Sequence, residues 1–96
     1  MQFVVLTRRR SEAFTDADYT PARLEEEAQA VRRLYIEGAI RQIWHRKDIG
    51  GACLLMEGET EDDIRRLLGS LPLFAAGMQE AVAIVPLSPY RGFGPR

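Results

Sequence analysis

The chain has 96 residues, 46% of them hydrophobic and 28% charged, with a formal net charge of −1. A length of this order buries roughly 60–70% of the unfolded surface around one core and leaves no material for another, so one domain spanning 1–96 is expected. The composition excludes a disordered chain, and the near-zero charge offers no basic field for a polyanion, so nucleic acid is not an expected partner despite Arg8-Arg9-Arg10.

In chain order, Met1 to Thr7 is too short for a signal core, and no later run approaches the ~20 apolar residues of a membrane span. With a lone cysteine, Cys53, that reads as a small buried hydrophobe, the expectation is a cytoplasmic protein with no membrane partner. Phe3 to Arg8 predicts an interior strand, since Phe3 and Val5 alternate with the equally apolar Val4 and Leu6. Arg9 to Tyr19 has no period and predicts a loop. Thr20-Pro21 is a helix start, with a capping hydroxyl followed by a residue that lacks an amide proton. Leu24, Ala28, Val31 and Tyr35, widened by Leu34, predict the buried stripe of that helix, and Gly38 its stop. Glu25-Glu26-Glu27 is read as a solvated face that also favours the helix start.

Ile40 to Arg46 predicts a second strand, with Ile40, Gln42 and Trp44 on one side and Arg41, Ile43 and His45 on the other. Lys47 to Gly51 turns it into a third strand, Ala52 to Glu57. Thr60-Glu61-Asp62-Asp63 resembles a capping box, opening a helix that buries Ile64, Leu67, Leu68 and Leu71 and that Pro72 ends. A fourth strand, apolar on both sides, is expected over Glu80 to Pro86, and 87–96 is expected to form a C-terminal arm.

The order strand, helix, strand, strand, helix, strand predicts an α+β, ferredoxin-like βαββαβ fold, a four-stranded antiparallel sheet with two helices on one face. Two helices cover one side only. The other apolar side needs a second sheet, and another copy of the chain supplies it, giving a homodimer of the dimeric α/β-barrel type or a higher oligomer.

Glu37-Gly38, then Arg41 and Trp44 on the next strand, then the helix leading into Leu71-Pro72-Leu73-Phe74, resembles the muconolactone isomerase family of bacterial aromatic catabolism. The resemblance spans about Phe3 to Pro89. It implies the same fold and an enzyme that shifts a C=C double bond in a small anionic unsaturated lactone by proton transfer, without metal or other cofactor. Two positions depart from the family pattern: Ile49-Gly50-Gly51-Ala52-Cys53 replaces a polar and aromatic run, and Val4 stands where a histidine is expected.

The reaction needs a base and a donor for the dienolate oxygen. Arg41 is the candidate holder of the substrate carboxylate, its alternative an exposed arginine paired with a helix acid. Trp44 is a candidate pocket wall or core packing, and Leu73 and Phe74 are candidates for the cavity roof or a plain apolar plug. Tyr19 offers a hydroxyl; Tyr35 is assigned to the core, His45 to a dimer face or the surface, and the Glu61 to Asp63 acids to the helix terminus. One histidine and one cysteine make a metal site of ordinary composition unexpected. The same architecture also supports a cofactor-free oxygenase or dehydratase, or a non-catalytic binding or assembly protein.

Overall fold

The computed structural model describes residues 1–93. Strands β1 (Gln2–Arg9), β2 (Ile40–His45), β3 (Ala52–Glu57) and β4 (Gln79–Pro86) form one sheet in the order β2-β3-β1-β4, every neighbouring pair antiparallel. β1 and β2 therefore run the same way with β3 between them, which a tight turn cannot accomplish. Helix α1 (Pro21–Ile36) makes that crossover, and α2 (Glu61–Gly69) with the short α3 (Pro72–Ala75) makes the equivalent return from β3 to β4. This is the expected ferredoxin-like α+β architecture. No helix among the described residues is long and apolar enough to cross a membrane.

The two central strands set the core. Phe3 and Val5 of β1, with Leu54 and Met56 of β3, meet Ala30 and Leu34 of α1 and Ile64 and Leu68 of α2 in one buried cluster. A smaller cluster joins Tyr19, Leu73 and Met78 beside it. Both main helices start on side-chain caps: Thr20 Oγ1 accepts from the Arg23 N–H at 3.2 Å, and Thr60 and Asp63 exchange hydrogen bonds of 3.1 Å in a full capping box. The Arg66 guanidinium and the amides at the helix start hold the Asp63 carboxyl below its usual range.

Three local readings are corrected. The buried stripe of α1 is rotated from the expected one: Ala30 and Leu34 face inward, whereas Tyr35 is 62% exposed. At about 100° per residue, a helix anchored on Leu34 cannot also bury its neighbour. Its inner face instead runs through Glu27, Ala30, Val31 and Leu34. Pro72 does not end α2, which stops at Gly69 with the Ser70 hydroxyl on the Leu67 carbonyl at 2.6 Å; it opens α3 from the first helical position. The alternation along β2 is interrupted, because Ile40 pairs with Met56 and Gln42 with Leu55, leaving Arg41 as an extra residue. The loop after β1 also contains one 3-10 turn, Asp16–Asp18.

Val4 and Leu6, Cys53 and Leu55, and Val85 lie on the sheet face away from the helices, which the single chain leaves uncovered. Beyond β4, the Leu87 N–H bonds the Gln2 carbonyl at 2.9 Å, and Tyr90 and Phe93 then stand exposed. Of the arm expected over 87–96, residues 94–96 lie outside the described residues.

Candidate active site

A cavity of about 710 Å³ opens between α1 and the end of the sheet where β2 and β3 join their turn. Ile43, His45, Ala52 and Leu54 form its sheet side, Glu27, Ala28 and Val31 its helix side, and Leu71, Leu73 and Phe74 close one end. Arg9, Arg46, Gly50 and Gly51 lie at the end where β1 meets the turn.

The extra residue at Arg41 decides what β2 contributes. Past it, Ile43 pairs with Leu54 and His45 with Ala52, residues on the helix side, so His45 belongs to the cavity wall and not to the opposite face as expected. Trp44 pairs with Cys53, which places its indole on the uncovered face. It borders the cavity and is 52% exposed, and does not form the flat wall expected of it.

Glu27 is the acid in this wall. It sits three residues before Ala30 and seven before Leu34, and is half-buried. Its Oε1 accepts the Leu73 N–H at 3.0 Å. That amide belongs to the first turn of α3, whose preceding residue, Leu71, has no side-chain oxygen to cap it, so the carboxylate of α1 serves as the cap from across the gap. Burial pushes the Glu27 carboxyl above its ordinary value of 4.5, opposed by the Leu73 hydrogen bond. The result is a carboxyl with one oxygen fixed and a raised proton affinity, beside an apolar space. The expected solvated face of Glu25 to Glu27 is corrected at this residue. The signal was in the spacing of three, four and seven to Ala30, Val31 and Leu34.

The cations around the cavity differ in their commitments. Arg46, whose side chain is 15% exposed, donates to the Thr7 carbonyl at 3.2 Å and pairs with Asp48 at 2.6 Å, and it lowers the Asp48 carboxyl to about 2. Arg32 pairs with Glu25 at 2.9 Å. Arg9 lies over the Tyr19 ring, 4.3 Å from Cζ to the centroid. Thr7, fully buried, receives the Ala52 N–H at 2.9 Å and donates to Gln79 Oε1 at 3.0 Å, which ties β1, β3 and β4 together behind two lining residues, Ala52 and Gln79.

Of the residues singled out from sequence, Leu73 and Phe74 line the cavity and Trp44 touches its border, while Arg41 and Tyr19 are not in its wall. Arg41 is exposed at the opposite end of β2, close enough to Glu57 to help the N-terminal ammonium lower that carboxyl. The Tyr19 hydroxyl is spent on the Met78 carbonyl at 2.7 Å. Among the described residues no three histidine, cysteine or acidic side chains are grouped to hold a metal ion.

The family model of muconolactone delta-isomerase matches residues 1–92. The chain belongs to the muconolactone delta-isomerase family. Among solved structures, 5-chloro-2-hydroxyhydroquinone dehydrochlorinase from Burkholderia phenoliruptrix AC1100, described in complex with 2,5-dihydroxybenzoquinone, superposes with a TM-score of 0.57. It is 20% identical, with 88% of this chain and 89% of that one covered, a likeness that supports the fold alone. A comparison with curated protein sequences found no match. Membership of the muconolactone delta-isomerase family and the cavity under α1 are consistent with each other: a small-molecule space walled by strand, helix and the Leu-Pro-Leu-Phe segment.

Proposed function

We propose that the chain is a cofactor-free isomerase that shifts a C=C double bond in a small anionic unsaturated lactone, with Glu27 carrying the proton. The observation behind this reading is the half-buried Glu27 carboxyl, held on one oxygen by Leu73 and raised in proton affinity by its surroundings. The free oxygen takes the proton from the γ carbon of the lactone ring, which lies between the double bond and the ring oxygen. The electron pair moves into the conjugated dienolate, whose oxygen carries the charge. The same carboxyl, now protonated, returns the proton to the carbon next to the carbonyl, which leaves the double bond one position along and restores both the carbonyl and the carboxylate. A carboxylate in water is a weak base toward carbon; burial strengthens it, and the cationic lining of the cavity offsets the dienolate charge.

Glu27→Gln tests this. The amide oxygen still accepts the Leu73 N–H but cannot take a proton, so turnover of muconolactone, followed by ultraviolet absorbance, should fall by roughly 10²–10⁴-fold with the fold intact. Wild-type protein with no such turnover would remove the reading. A second reading, favoured by the dehydrochlorinase among the structural neighbours, is that the same carboxyl lifts a proton while a leaving group departs from the adjacent carbon.

The uncovered sheet face supports a homodimer in which two such faces pack together. A cytoplasmic setting accords with the single thiol, Cys53.

A further inference from the structure

Building on the isomerase reading, we propose that Arg9 is the anchor for the substrate carboxylate, and that residue 50 is glycine because a side chain there would displace it. Three guanidinium groups line the cavity. Two are already matched, Arg46 by Asp48 and Arg32 by Glu25. Arg9 has no carboxylate partner among the described residues, and its side chain makes no hydrogen bond to protein there. Its one partner is the face of Tyr19, which steadies a cation without using any of its N–H donors. The donors that grip a carboxylate two at a time thus remain available.

The platform beneath this arginine is rigid. Tyr19 is 7% exposed and its hydroxyl is tied to Met78. The Arg9 backbone N–H bonds the Gly50 carbonyl at 2.9 Å, which brings the turn against the arginine's arm. A Cβ at Gly50 would lie 2.9 Å from Arg9 Cδ and 3.3 Å from Cγ, so any larger residue pushes the arm aside. Glycine is required here for space. Arg9 and Glu27 lie in the wall of one cavity, an arrangement that holds the charged end of an organic acid while a carbon elsewhere in it exchanges a proton.

The test compares two probes by calorimetry, muconolactone as its carboxylate and the neutral methyl ester. Arg9→Gln should weaken the carboxylate by about tenfold or more and change the ester by less than about twofold, the pattern of a lost charge-assisted pair. Gly50→Ala should shift the same preference in the same direction to a smaller extent. Arg9→Lys, which keeps the charge and the arm but not the fork, should retain part of the preference and controls for folding. Equal loss for both probes, or none, overturns the anchor. Carboxylate binding that depends on Arg9 in a protein without turnover removes the isomerase reading and leaves the anchor standing. Wild-type protein that binds acid and ester alike overturns the anchor alone, and one that binds neither overturns both.

Discussion

Gly51→Ala should be among the most damaging single-methyl changes in the molecule. Its φ of +147° is a conformation side chains rarely adopt, and the added Cβ would lie 2.3 Å from the Thr7 carbonyl oxygen and 2.9 Å from Arg8 Cα. Those are backbone atoms of a central strand, so relief comes only by parting β1 from the end of β3. The conformational strain costs about 1–3 kcal/mol. Parting the strands also weakens the Arg9 to Gly50 and Ala52 to Thr7 hydrogen bonds, for about 0.5–1.5 kcal/mol each. A total of about 2–6 kcal/mol corresponds, for a chain of this length, to a melting temperature lower by about 10 °C or more. Gly69→Ala is the control, since nothing lies within 4 Å of its Cβ position and the residue is the last of α2. It should gain up to about 1 kcal/mol. Urea unfolding followed by circular dichroism, at one fixed protein concentration, compares the two. A Gly51→Ala protein as stable as wild type would refute the reasoning, as would equal losses at both positions.

Stability should also report on Glu27. Its folded-state proton affinity is raised above the ordinary 4.5, so its contribution is fully present below that pH and is lost as pH rises through the raised value. The advantage of Glu27→Gln over wild type in urea midpoint should therefore grow through that window and then level off. A constant difference across the pH range would count against burial as the cause. Thr7→Val keeps the shape but strands the Ala52 N–H and the Gln79 carbonyl, and should cost about 1–3 kcal/mol in the same assay. Sedimentation equilibrium at micromolar concentration should give a dimer, and Leu6→Glu on the uncovered face should give a monomer. A wild-type monomer would remove the proposed sheet-to-sheet pairing.

What the sequence reveals and what it conceals have physical causes. The third strand is legible to the residue, because Ala52 to Glu57 is bounded by Gly51 and Gly58 and leaves no ambiguity of period. Helix starts at Thr20 and Thr60 are legible because capping is a local transaction between a hydroxyl and an amide a few residues on. The phase of α1 is not, since its apolar residues are compatible with two stripes and only the sheet beneath selects the one through Leu34. That choice concealed Glu27, which three consecutive glutamates had disguised as a solvated run. The slip at Arg41 is likewise a property of the pairing with β3, and no residue in Ile40-Arg41-Gln42 announces it. A regular strand would put Trp44 on the cavity side and His45 on the other; the slip puts His45 in the cavity wall and Trp44 on the uncovered face, while Arg41 stands at the far end of β2.

That one unpaired residue has a larger consequence. Because Arg41 is the surplus residue, its loss would leave Ile40 opposite Met56 and Gln42 opposite Leu55 with every later position of the strand on its present side, whereas pairing Arg41 itself with Leu55 would turn the indole of Trp44 inward and the imidazole of His45 outward. A one-residue slip of the register here, rather than a change of length, is what would exchange the side chains that β2 offers to the cavity. The β2 side of the cavity thus hangs on which residue, 41 or 42, stands opposite Leu55.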